Sequence, residues 1–119
     1  MDNSLCVLIR RPPYGEIHAA EGIRHAGGAL AEGMQTRIVL IDDGVYVARD
    51  GQLMGGTAWI ALAPALMKVI AKGARVFVHT PSAQARGLLQ EEHFISGVEA
   101  LDDDEFARML AQSRSLMIY

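Results

Sequence analysis

Ser4–Arg10 reads S-L-C-V-L-I-R, and Arg10–Gly15 reads R-R-P-P-Y-G. No polar residue interrupts Leu5 to Ile9, so the run predicts a strand buried on both faces rather than one with a wet side. Pro12 and Pro13 cannot continue a ladder, and the chain must turn there. From Glu16 to Glu32 the pattern becomes helical. Ala19, Ala20, Ile23, Ala26, Leu30 and Ala31 lie near one stripe, and Gly33 stands where a C′ glycine belongs. Gly22, Gly27 and Gly28 interrupt that pattern at about 1 kcal/mol each relative to Ala. Close packing of the helix against a neighbour is the expected compensation.

The same alternation continues along the chain. Thr36–Ile41 (T-R-I-V-L-I) is a second buried strand, stopped by Asp42-Asp43-Gly44. Val45–Gln52 suits one helical turn followed by a loop at Asp50-Gly51. Gly55-Gly56 breaks the chain, and Pro64 opens a helix to Lys72 that Gly73 closes. Arg75–Thr80 (R-V-F-V-H-T) is a third strand. Thr80-Pro81 reads as an N-cap and N1 pair before a short helix to Arg86. Gly97–Leu101 is a weaker fourth strand, and Asp102 with Glu105 forms a capping-box pattern before a helix through Gln112. Ser115–Tyr119 (S-L-M-I-Y) is a fifth strand. Five strands alternating with helices predict a doubly wound α/β domain with a parallel sheet, one domain over residues 1–119.

Composition narrows the function. The chain has 119 residues, a formal net charge of −3 and one cysteine, Cys6. A lone cysteine excludes an intramolecular disulfide framework, a CxxC pair and a multi-cysteine zinc site. Mild acidity argues against non-specific nucleic-acid binding. The opening Met-Asp-Asn-Ser lacks the basic region of a signal peptide, and no apolar run is long enough for a bilayer. The expected setting is a reducing cytoplasm, with no membrane and no cofactor. No G-x-G-x-x-G follows the first strand, and Gly51–Thr57 (G-Q-L-M-G-G-T) has phosphate-loop glycines but no lysine. There is no G-x-S-x-G elbow. His18 and His25 lie two helical turns apart, roughly 10 Å, too far to share an ion unaided, so no metal is expected. Cys6 sits mid-strand in a run that reads as buried, where desolvation raises a thiol pKa and opposes activation.

Open α/β sheets place ligands outside the carboxyl ends of their strands. Tyr14, Asp43, His79 and Thr80 fall on loops that converge there. His79 precedes a helix N-terminus, whose free N–H groups favour an anion. Alternatively, His79 and Thr80 simply end a strand and cap a helix, Asp43 forms a turn, and Tyr14 packs on the rim. Thr57–Ala71 carries Lys68 as its only charge. A monomer would expose some of Trp59, Ile60, Leu62, Leu66 and Met67 however this segment turned, which predicts an interface.

The order of these segments resembles the DsrE/DsrF-like family of small sulfur-relay proteins, which includes the TusB, TusC and TusD subunits. The resemblance rests on the first strand followed by R-P-P-Y-G-E, on I-V-L-I-D-D-G-V-Y (Ile38–Tyr46), and on the strand and short helix ending A-R-G-L (Ala85–Leu88). It covers nearly the whole chain and looks most like the DsrF/TusC branch. It implies a three-layer α/β/α domain with a five-stranded parallel sheet, assembled into trimers or hexamers. In the sulfur-carrying branch a strand-end cysteine accepts a persulfide, eight residues before the glycine of an A-x-x-R-G-type segment. Counting back from Gly87 gives His79. The resemblance therefore implies a non-catalytic subunit that joins cysteine-bearing DsrE-like chains, or copies of itself, in a sulfur-relay complex. The other expectation is a homo-oligomeric small-ligand or anion-binding protein using the crevice around Tyr14, Asp43 and His79. A third, sulfur transfer by Cys6, conflicts with the burial expected there.

Overall fold

Every residue of the first strand, β1 (Ser4–Ile9), is buried, as its unbroken apolar sequence requires. The structure is a computed structural model describing residues 3–51, 61–88 and 93–119. After β1 come α1 (His18–Ala31), β2 (Gln35–Leu40), a 3-10 helix (Asp42–Ala48), α2 (Ala63–Ala71) and β3 (Arg75–His79). Then follow α3 (Thr80–Ala85), β4 (Val98–Leu101), α4 (Asp103–Gln112) and β5 (Ser115–Ile118). The five strands form one parallel sheet in the order β4-β3-β2-β1-β5.

That order dictates the layers. The crossovers from β1 to β4 all step the same way, so right-handed connections put their helices on one face. The crossover from β4 to β5 runs back across the sheet and puts α4 on the other. One core joins Leu5, Val7, Ile9, Ile38, Leu40, Val76 and Val78 to α1, α2, α3 and the 3-10 helix. The second joins Cys6, Leu8, Val39, Phe77 and Leu101 to Phe106, Met109 and Leu110 of α4. The result is the three-layer α/β/α arrangement.

Local expectations meet the structure unevenly. The capping box is complete: the Asp102 side chain accepts from the Glu105 N–H (2.8 Å), and the Asp102 N–H donates to Glu105 Oε1 (3.3 Å). Thr80 is the first helical residue of α3 rather than its N-cap, because His79 holds the extended cap position and makes no side-chain cap bond. The helical turn expected within Val45–Gln52 begins earlier, at Asp42. Of the three α1 glycines, only Gly22 is tightly packed: a Cβ there would lie 3.1 Å from Ile9 and Tyr119 side chains. Nothing approaches Gly28 within 4 Å, so close packing does not account for it.

The apolar Thr57–Ala71 segment also needs correcting. Leu66 is fully buried and Leu62 nearly so, both in the core of this chain, so neither is left over for a partner. The turn after Leu62 points Leu62, Leu66 and Val69 at the sheet side and leaves Met67 half exposed. Trp59 and Ile60 lie outside the described residues. Among the described residues, the other exposed large apolar side chains are Ile17 before α1 and Leu116, Met117 and Ile118 along the edge strand β5.

Candidate functional site

At the carboxyl end of β3 the chain passes directly from strand to helix, which places His79 and Ser82 one turn apart. The His79 ring is buried and meets Ser82 Oγ through Nδ1 (2.7 Å) and Asp103 Oδ1 through Nε2 (2.6 Å). Phe106 packs against it, with ring centroids 5.5 Å apart. Ser82 Oγ also accepts from the Asp42 backbone N–H (2.9 Å). Its own hydrogen can therefore go to Nδ1, leaving Nε2–H to donate to Asp103, an assignment that satisfies every donor in the chain of bonds.

A serine, a histidine and an aspartate in one hydrogen-bonded line invite comparison with a hydrolytic triad. Exposure reverses the roles. In a working triad the serine meets substrate and the aspartate is buried. Here Ser82 is 6% exposed, while the Asp103 side chain is 76% exposed. The line instead ties the 3-10 helix, α3, the end of β3 and the start of α4 to one another.

Ion pairs surround this clamp. Arg86 Nε donates to Asp43 Oδ1 (3.0 Å), and its Nη1 donates to the Ser82 carbonyl (3.0 Å). Arg10 Nε donates to Asp42 Oδ2 (3.3 Å). Asp42 has a positive φ of 53°, an uncommon conformation that this turn holds through its hydrogen bonds. Each acidic residue of the turn thus faces an arginine of the same rim.

The four crevice candidates separate. Asp43 and His79 belong to one network, joined through Arg86 and Ser82. Thr80 faces another small cleft, with Val78, Ala83, Gln84, Leu88 and Phe94. Tyr14 joins neither group. Its hydroxyl is buried without a hydrogen-bond partner among the described residues, and burial pushes its pKa up, partly offset by the charge of Arg49. No local sequence signal marks Arg86 or Asp103 as a neighbour of Asp43 or His79. A polar residue three positions after a strand-end histidine, within a short helix, was the available sign for Ser82.

Cys6 lies on the opposite face of the sheet, fully buried beneath α4. Burial raises its pKa above the ordinary thiol value; a hydrogen bond with Ser113 and the charge of Arg37 offset this only in part. No group of three or more His, Cys, Asp or Glu side chains among the described residues could hold a metal ion. No helix among them is long and apolar enough to cross a membrane.

Known proteins share both sequence and architecture with this chain. It is 34% identical over 116 residues to the uncharacterised protein MK0008 of Methanopyrus kandleri, covering 97% of this chain and 93% of that one. It is 26% identical over 126 residues to the intracellular sulfur oxidation protein DsrF of Allochromatium vinosum, covering 94% and 93%. The crystal structure of the YchN protein from E. coli superposes with a TM-score of 0.87 at 19% identity, covering all of both chains, a likeness of fold. The family model described as DsrE/DsrF-like matches residues 3–118. With a relative above 30% identity along nearly its whole length and a family match from β1 to β5, this chain belongs to the DsrE/DsrF-like family.

Proposed function

We propose that this chain is a non-catalytic subunit of an oligomeric intracellular sulfur-relay complex and carries no persulfide itself. The observation that carries the reading is the residue eight positions before Gly87. It is His79, buried and hydrogen-bonded at both ring nitrogens, with no sulfur atom to load. The one cysteine of the chain lies under α4, on the other face of the sheet, with its thiol held protonated by burial. Likeness to DsrF, named for intracellular sulfur oxidation, supports the sulfur-relay context. Exposed apolar side chains along β5 support a role within an assembly.

The crevice supports the small-anion reading less well. Asp42 and Asp43 already neutralise Arg10 and Arg86, so the rim offers little unspent positive charge. Native mass spectrometry of the chain, alone and mixed with a cysteine-bearing DsrE-like protein encoded beside it, tests the proposal. The expected result is a defined oligomer or hetero-oligomer in which persulfide loads only the partner. A strictly monomeric chain that binds no such partner, or a persulfide on Cys6 in the folded protein, would refute it.

A further inference from the structure

We infer that the α4 face of the sheet holds a binding site for a small tetrahedral oxyanion of the phosphate or sulfate class, separate from the His79 crevice. The register of the sheet creates it. Cys6, Arg37 and Arg75 are neighbours in one row across β1, β2 and β3, so two arginines stand side by side on the same face. Like charges placed directly across a strand pair repel. Glu99 on β4 relieves only one of them: Arg75 donates to it through both Nε (3.1 Å) and Nη2 (2.8 Å). The Arg75 guanidinium also lies 5.0 Å from the centre of the Phe77 ring, which fixes it in place.

Arg37 has no such relief. It is half-buried on a central strand, and no ion pair forms at it among the described residues. α4 runs over this face and adds Arg108, Met109 and Gln112 to the walls of a cleft of about 260 Å³ shared with Arg37, Arg75 and Phe77. Among the described residues Glu105 is the one carboxylate on the lining; the Asp102 N–H holds its Oε1 in the capping box, and its charge stays. Three guanidinium groups line this cleft against the carboxylates of Glu105 and Glu99, which leaves one net positive charge in a chain whose overall charge is −3. Guanidinium forks match tetrahedral oxyanions by paired N–H donors, which makes such an oxyanion the fitting occupant. Gln112 can add a neutral donor at the mouth.

The test is an NMR titration of the full chain with inorganic phosphate and with phenyl phosphate, at constant ionic strength held with chloride. Saturable shifts at Phe77, Leu101 and Met109 are expected, and Arg37→Gln and Arg108→Gln should each weaken binding about tenfold, the scale of one lost charge-assisted hydrogen bond. Arg108 lines the open edge of the cleft and is itself exposed, so Arg108→Gln folds even if Arg37→Gln does not. Tighter binding of phenyl phosphate would identify the head group of an organic molecule as the ligand; equal binding would identify the free oxyanion. Glu99→Gln, which releases Arg75, should tighten binding. Shifts that do not saturate, or affinities unchanged in Arg108→Gln, would overturn the site. Neither outcome bears on oligomerisation or on the absence of persulfide transfer.

Discussion

A methyl group added at Gly44 would overlap the carbonyl oxygen of Ile9, and the backbone of β1 has no freedom to retreat. This explains the glycine of the D-D-G-V-Y segment physically: the 3-10 helix crosses the end of β1 in backbone contact, with the Gly44 N–H bonded to Ile41 O (2.9 Å). Gly44→Ala should cost about 3 kcal/mol or more, the range of severe overpacking, and urea denaturation would measure it. Cys6 gives a second prediction at this scale. Its thiol pKa is raised in the folded state, so the buried neutral thiol contributes stability below the ordinary thiol pKa, and that contribution is lost as pH rises through the raised value. Native alkylation by iodoacetamide should therefore stay slow between about pH 7 and pH 9, while the urea-unfolded chain reacts faster as its thiol ionises. Rapid labelling of native protein would contradict both its burial and its inert role. His79 shows the limit of a residue considered singly. Its place at the strand end was readable, but its partners Ser82 and Asp103 come from two different helices.

Among the elements, α4 has the clearest local determinants. Its capping box satisfies donors at the helix start, and Asp103, Asp104 and Glu105 place negative charge against the positive end of its dipole. Asp102→Ala should lower stability by about 1 kcal/mol without changing the fold, read from a thermal or urea melt. The loss would fall on the helix that, among the described residues, covers the second core. β5 poses the opposite problem. All four of its residues are exposed, yet it pairs with β1, and the chain around it is tied at several points. The Arg114 N–H donates to Ser4 Oγ (3.0 Å), the Tyr119 N–H to Leu8 O (2.8 Å), and the Arg10 N–H to Tyr119 O (2.7 Å). The Tyr119 hydroxyl also meets Nδ1 of His25. Removing Leu116–Tyr119 would uncover the apolar β1 as a sheet edge, a template for intermolecular pairing. The truncated chain should be insoluble or lack a cooperative melt; a soluble, cooperatively melting product would show β5 to be dispensable.

At the scale of the whole molecule, the two faces of the sheet are unequal. One is covered by α1, α2, α3 and the 3-10 helix, the other by α4 among the described residues. That asymmetry puts the charged row of Arg37 and Arg75 beside α4 and leaves β5 with little over it. The proposed assembly, if it uses this edge, should protect Leu116, Met117 and Ile118; hydrogen exchange with and without a candidate partner would then show slowed amides on β5. The sequence by itself determined the strands, the parallel α/β class and the capped start of α4. Those depend on uninterrupted apolar runs, prolines and capping residues that act within a few positions of themselves. Counting eight residues back from Gly87 also gives His79 without coordinates, and the family resemblance lends that position its proposed meaning. Tertiary structure alone decided which apolar residues of Thr57–Ala71 are core, because rotation of α2 relative to the sheet sorts Leu66 from Met67. It alone brought Ser82 and Asp103 to His79, and Arg108 to Arg37 and Arg75. Such groupings depend on strand order and register, which are set by the packing of the whole chain and have no local sequence signal.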